Sequence, residues 1–331
     1  MAEIVDLMSR LRIATYNILS GGGTRWPAIS EMVQAIDADV LALQEIEDPR
    51  PMFSLAERLG YRAVFGRAPR FRHQGLLSRV PVRDWRNHQD PRAFPRNSLE
   101  VSLDLPAGPV AIHTVHLTAA FQRRGRAEPD RRRELGAVRE QARAGNPGRH
   151  LILGDFNSLS PGERIDAAGF LSILADWRRS GALERYGTLG PVPARRQAAV
   201  GAAGAAELDL SPAAREGMPR LPWVLQPLVE FVPKGEATDL VVGAMMPREV
   251  VADMLAAGYV DCLRRVHPQG DEFTCPSYHP SVRIDYVFAT PALADRLARC
   301  EVIGREGPLA EVARRASDHF PVAAEFHLEP G

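Results

Sequence analysis

The chain has 331 residues, 45% of them hydrophobic and 25% charged, which is ordinary for a folded globular chain and enough for one large α/β domain or two smaller ones. Lys plus Arg equals Asp plus Glu at 41 each, so no global field draws the chain to nucleic acid or to a membrane surface. Three cysteines, Cys262, Cys275 and Cys300, stand at no metal-ligand spacing; they argue against a disulfide framework or a zinc motif and for a reducing compartment, so a cytoplasmic protein is expected.

The N-terminus MAEIVDLMSRLRIATYN lacks the long apolar core of a signal peptide, and no apolar run approaches bilayer length. LRIATYNI (11–18) predicts a strand ended by SGGG, and WPAISEMVQAID (26–37) a helix with Pro27 in its first turn. DVLALQEI (39–46) predicts a strand, and SLAERLG (54–60) a short helix closed by Gly60. Strand-like runs follow at 61–66, 75–82, 97–105 and 109–117, too close together for intervening helices and therefore antiparallel in part. RRRELGAVREQARA (131–144) is a basic helix, and HLILGD ends the strand at 149–154 with an acid beside it.

From 160 to about 260 the pattern breaks into helical pieces, the Pro/Gly/Ala-rich GPVPARRQAAVGAAGAA (190–206) and the apolar LPWVLQPLVEFV (221–232). A helix is expected over 247–265, a strand at 282–289, a helix at 291–299 and a strand at 319–328. Helices and strands spread over the whole length without a linker predict one α/β domain, 1–331, with a variable insertion at about 160–245.

Polar residues recur where the apolar runs begin or end: Asn17, Glu45, His116, Asp155, Asn157, Asp285, Asp318 and His319. Each has a plain explanation alone, as a turn former or a satisfied strand residue. Together they suggest groups presented at sheet edges, where α/β proteins commonly bind ligands. By strand alternation Asn157, two positions beyond Asp155, is expected on the same side. Arginines crowd 62–73, 86–96 and 122–133, either as solvated loops or as a rim facing an anion. His73, His88 and His279 read as surface residues, Arg283 as a structural ion pair, and Trp26, Phe71 and Trp85 as packing groups in preference to base-stacking ones.

ATYNIL (14–19), LQEIE (43–47), TVHL (114–117), LGDFNS (153–158), RIDYVF (283–288) and SDHFPV (317–322) stand in the order found in the endonuclease/exonuclease/phosphatase superfamily, which the chain resembles. The resemblance spans 11–325 and leaves 160–245 largely uncovered; GYVDCLRRVHP and FTCPS look like bacterial members of undefined function. It implies an α/β fold of two packed mixed β-sheets flanked by helices, a four-layer DNase I-like sandwich. It also implies a divalent-metal-dependent hydrolase acting on phosphate esters, a phosphodiesterase of nuclease type.

The implied roles follow the residue types. Glu45, Asn17 and Asp318 form or adjoin the metal site, with Mg²⁺ expected and Mn²⁺ as its substitute, since Mg²⁺ prefers hard oxygen ligands. Asp155 activates the attacking water, and Asn157 holds nucleophile and phosphate. His319, oriented by Asp285, stabilises the transition state, and His116 contacts phosphate or assists the leaving group. Histidine in TVHL, where exonuclease III-type AP endonucleases carry tyrosine, argues against a dedicated AP endonuclease. The alternatives are a phosphatase or phospholipase C-like hydrolase of a lipid or inositol phosphate, and a non-catalytic phosphate-binding module. A monomer without a membrane span, acting on a phosphate ester that includes nucleic acid among its candidates, is expected.

Overall fold

The structure, a computed structural model, describes residues 10–90, 96–119, 127–146, 148–189, 210–222, 226–233 and 235–328. One sheet is built from β1 (Arg10–Asn17), β2 (Val40–Ile46), β3 (Arg62–Gly66), β4 (His73–Ser78), β13 (Leu297–Val302) and β14 (Val322–His327), in the order β13-β14-β1-β2-β4-β3. The other contains β5 (Val82–His88), β6 (Ser98–Leu103), β7 (Val110–His116), β8 (His150–Asp155), β11 (Val260–Asp261) and β12 (Asp285–Ala289), in the order β11-β12-β8-β7-β6-β5. β9 (Thr188–Leu189) and β10 (Leu221–Pro222) form a small parallel pair apart from both.

Each large sheet is mixed: β1 runs parallel to β2 and β7 parallel to β8, while the remaining pairs are antiparallel. The aliphatic runs are continuous because both faces of these strands are covered. Leu11, Ile13, Val40, Ala42, Leu151 and Leu153 point into the core between the sheets. Their neighbours Ala14, Tyr16, Leu41 and Leu43 point outward, against helices α1 (Trp26–Ile36), α2 (Pro49–Leu59) and α11 (Ala310–Ala316). Ile152 on β8 and Val115 on β7 meet α3 (Glu128–Gly145) and α8 (Glu249–Ala256) on the opposite outer face. The result is helix, sheet, sheet, helix, as expected.

Several elements differ from the sequence reading. α2 begins at Pro49 because Asp48 caps it, accepting from the Arg50 N–H at 3.0 Å. The helix expected over 247–265 stops at Ala256; Gly258, at φ +86°, turns the chain into β11, and Asp261 caps the short α9 (Cys262–Val266). The helix expected over 291–299 is a single turn, α10 (Pro291–Ala294), and LARCEV becomes β13 on the sheet edge.

The excursion after β8 forms α4 (Ala167–Arg179), α5 (Ala182–Tyr186), α6 (Pro212–Glu216) and α7 (Glu236–Met245). The 190–206 stretch and residues 223–225 of LPWVLQPLVEFV lie outside the described residues. Arg283 is fully buried and pairs with Glu163 at 2.8 Å and Asp261 at 2.7 Å, the structural ion pair expected of it.

Candidate active site

The two parallel pairs end at the same edge of the sandwich. Asn17 closes β1 opposite Gln44 on β2, and His116 closes β7 opposite Asp155 on β8. Asp285 opens β12 antiparallel to β8 and lies opposite Asp155 as well. Asp318 and His319 lead into β14, which pairs with β1. The polar residues picked out along the chain therefore meet in space, and all except the half-buried Asn157 are buried.

Asn17 Nδ2 donates to Asp155 Oδ2 at 3.1 Å and approaches Glu45 Oε1 at 3.5 Å. His116 Nε2 stands 3.5 Å from both Glu45 Oε1 and Asp155 Oδ2. His319 Nδ1 bonds Asp285 Oδ2 at 2.8 Å. One ligand atom each from Asp155, Asp285 and His319 lie within 4.8 Å of one another.

Two side chains are aimed by unusual backbone. Between the pairs Leu43–Gly75 and Ile46–His73, β2 has two residues where β4 has one, so Gln44 and Glu45 form a bulge. Glu45 takes φ +66°, its carbonyl accepts from the Gly21 N–H at 2.6 Å, and its Oε2 accepts from the Ser20 N–H at 2.7 Å. Asn157 sits at φ +49°, already outside β8, and donates Nδ2 to the Leu117 carbonyl at 3.1 Å. Strand alternation does not place it; its own N–H, donating to Asp155 Oδ1 at 2.9 Å, does. Gly154 must lack a side chain, because a Cβ there would lie 1.9 Å from the Val115 carbonyl oxygen.

Burial and neighbouring charge set the protonation states. Asp155 is pushed up to about 7 by burial first and by the Asp285 carboxylate second, against the pull of His319. Burial and the Glu45 carboxylate also raise Asp318. Burial opposes charge on His319, yet Asp285, Cys275 and Asp318 hold it well above the usual imidazole range. His116 is held well below that range by burial and by Arg96 and Arg72, so it is neutral.

Several members of the site were not found from sequence. Arg72 pairs with Glu45 Oε1 at 3.1 Å. Arg96 donates to the carbonyls of His116 and Leu117, both at 3.1 Å. Arg25 donates to the Ile18, Leu19 and Ala316 carbonyls and pairs with Glu216 at 3.1 Å, tying the SGGG loop to α11 and α6. Ser317 Oγ donates to the Asn17 carbonyl at 2.7 Å. Arginine clusters were visible, but only long-range folding separates their uses. Arg67 and Arg70 are exposed, whereas Arg132 and Arg133 pair with this chain's own Asp253, Glu249 and Asp130. Residues 91–95 and 122–126 lie outside the described residues.

His73 is buried, accepting from the Ala68 N–H at 2.9 Å, and is not the surface residue expected. His88 and His279 are half-buried partners of Glu100 and Asp166. Trp26 packs as expected; Phe71 and Trp85 do not, being 57% and 46% exposed.

The donors fit a hard divalent cation. Glu45, Asn17 and Asp318 are oxygen-bearing groups, and Asp318 Oδ1 is buried without a hydrogen-bond partner among the described residues. Excess buried carboxylate with such an orphan oxygen is a cation's environment.

A family model described as the Endonuclease/Exonuclease/phosphatase family matches residues 14–319. No curated protein matches the chain in sequence. Among solved structures, an AP endonuclease from Archaeoglobus fulgidus aligns with TM-score 0.59 and 17% identity, covering 96% of this chain and 99% of that one. An endonuclease/exonuclease/phosphatase from Beutenbergia cavernae DSM 12333 aligns with TM-score 0.58 and 18% identity, covering 97% and 72%. The 3' phosphatase NExo (D146N) from Neisseria, bound to a product DNA hairpin, aligns with TM-score 0.55 and 18% identity, covering 96% and 99%. Likeness at this identity establishes a shared fold.

Proposed function

The chain belongs to the endonuclease/exonuclease/phosphatase family, and from that premise we propose a divalent-metal-dependent phosphoesterase that hydrolyses a phosphodiester with water activated by Asp155. The observation that carries it is the convergence of a raised carboxylate, Asp155, and a protonated imidazole, His319, within one buried cluster. A base held near neutral pH and a charged donor beside it form an acid–base pair suited to attack on an anion.

Asp155 takes the proton of the attacking water, and Asn157 orients water and phosphate through its amide. His319 donates from Nε2 to a phosphoryl oxygen while Asp285 holds Nδ1 and the ring's orientation. His116, neutral, offers Nε2 between Glu45 and Asp155, to the phosphate or the leaving group. Asn17, Glu45 and Asp318 would hold Mg²⁺, with Mn²⁺ as substitute, and the ion would supply neutralisation of charge on the phosphoryl group. Arg67 and Arg70, exposed on the segment between β3 and Arg72, support an extended anionic substrate such as nucleic acid.

The single-domain reading of 1–331 with an insertion at 160–245, acting as a monomer, belongs to this proposal. So does a cytoplasmic location, supported by the three free cysteines. Among the described residues no helix is long and apolar enough to cross a membrane. A lipid phosphate ester is the second reading, favoured by Phe231, Leu240 and Met245 on the excursion, each at least 73% exposed. A substrate panel decides: bis-p-nitrophenyl phosphate, plasmid DNA, RNA, sphingomyelin and inositol phosphates, each with Mg²⁺, Mn²⁺ or EDTA. Metal-dependent turnover of a diester with nucleic acid preferred supports the first reading, a sphingomyelin preference the second, and no turnover of any substrate overturns both.

A further inference from the structure

We propose that Cys275, Asp318 and His319 form a second metal site, overlapping the Mg²⁺ site at Asp318 and selective for a borderline-soft divalent cation such as Zn²⁺, and that filling it silences the active site. The sequence gives no hint of it, since Cys275 stands far from the other two along the chain. In space, one ligand atom from each lies within 4.8 Å of the others, and Asp318 Oδ1 is 3.9 Å from His319 Nε2. Zinc bonds of roughly 2.0–2.3 Å in a tetrahedron set ligand atoms about 3.3–3.7 Å apart, so a small inward movement completes the geometry.

Three features favour a ligand there. Asp318 is only 9% exposed, and its Oδ1 has no hydrogen-bond partner among the described residues. His319 is already oriented as metal-binding histidines are: its Nδ1 is held by the Asp285 carboxylate at 2.8 Å, which leaves Nε2 for a metal. Cys275 is partly exposed, and its backbone is fixed by the Cys275 N–H to Val282 carbonyl bond at 3.0 Å and the return Val282 N–H bond at 2.9 Å.

Sulfur sets the selectivity. Glu45, Asn17 and Asp318 offer oxygen, which suits Mg²⁺; a Cys–His–carboxylate set suits Zn²⁺ or Co²⁺ and rejects Mg²⁺. Coordination releases the thiol proton and the Nε2 proton to solvent and occupies the nitrogen assigned to the phosphoryl oxygen. Binding stands on this geometry alone, whereas inhibition rests on the phosphoesterase reading above.

The test titrates the metal-free protein with Co²⁺, reading the near-ultraviolet sulfur-to-cobalt absorption band, and separately follows bis-p-nitrophenyl phosphate hydrolysis in Mg²⁺ as Zn²⁺ is added. A band that survives a large excess of Mg²⁺, is lost in Cys275→Ser and is weakened in Asp318→Asn supports the site. Absence of the band in the wild-type protein, or its persistence in folded Cys275→Ser, overturns it, and the wild-type result decides even if the serine variant does not fold. With each rate normalised to the same protein's zinc-free rate, Cys275→Ser should raise the half-inhibiting Zn²⁺ concentration at least about tenfold. Equal inhibition of both proteins overturns the inhibitory role of the site, since zinc then acts without Cys275. A cobalt band without any zinc inhibition keeps the metal site and refutes the catalytic placing of His319 and Asp318.

Discussion

The Asp285 carboxylate holds His319 Nδ1 at 2.8 Å, from the first residue of β12 to the segment entering β14. The two residues are 34 positions apart in sequence. The bond fixes which imidazole nitrogen faces the reaction.

Asp285→Asn should therefore lower kcat by about 10²-fold, and His319→Ala by at least as much. Because Asp285 acts through His319, the double variant should lose little more than His319→Ala alone. Steady-state kinetics of the variants on one diester checks this; fully additive losses would separate the two residues.

Asp155→Ala should cost at least roughly 10²-fold in kcat with KM little changed, as for a general base. Near wild-type turnover removes Asp155 from the chemistry. Asn157→Ala should raise KM as well, since the amide is proposed to hold phosphate.

Dialysis against EDTA should abolish turnover, and Mg²⁺ or Mn²⁺ should restore it. Glu45→Ala should raise the half-activating metal concentration by about tenfold or more while circular dichroism stays unchanged. Full activity in EDTA would falsify the metal requirement.

Gly217 follows α6 and packs against Asp318: a Cβ there would lie 2.6 Å from Asp318 Oδ2 and 2.8 Å from Asp318 Cβ. The excursion is thus seated on the site. Gly217→Ala should displace Asp318 and reduce kcat/KM by about 10- to 10²-fold, the scale set by sub-ångström misplacement of reacting groups. Unchanged kinetics in a folded Gly217→Ala protein would show that Asp318 tolerates the shift.

His113, on β7, is fully buried, and neither ring nitrogen has a hydrogen-bond partner among the described residues. Burial lowers it from 6.5 to about 4, against the pull of Glu100. Between those values the unfolded chain binds the proton and the folded chain does not, so stability is full above about 6.5 and falls as pH drops towards 4. The group accounts for roughly 3 kcal/mol across that window. His113→Leu should flatten the pH dependence of the urea midpoint there; parallel curves for variant and wild type would assign the acid sensitivity elsewhere.

The strands were legible because aliphatic runs covered on both faces mark them, and Asn17, Glu45, His116, Asp155 and Asp285 stood out as polar residues closing such runs; that the sheets pack as a sandwich and that these residues meet was implied by the family resemblance alone. β13 was not, because Leu, Ala and Arg favour helix and only pairing with β14 overrides that preference. Arg25, Arg72 and Arg96 looked like any other arginines, since their carbonyl and carboxylate partners lie on other segments. The bulge at Glu45 carries no local signal, because glutamate rarely adopts positive φ, whereas Asn157 is a residue type that tolerates the left-handed turn and could have been read so. Cys275 escaped for the opposite reason: metal-ligand spacing is a local test, and its neighbours are not local.

The left-handed backbone at Glu45 has a consequence for how this protein changes over time. A non-glycine residue held there carries strain of about 1–2 kcal/mol that glycine would not feel. Glu45→Gly would release that strain, yet it would also discard the side chain proposed to hold the cation and leave the Ser20 N–H and Arg72 without the carboxylate that binds them. The strain is therefore kept together with the contacts that offset it, and a lineage selected for robustness alone gains little by exchanging this residue.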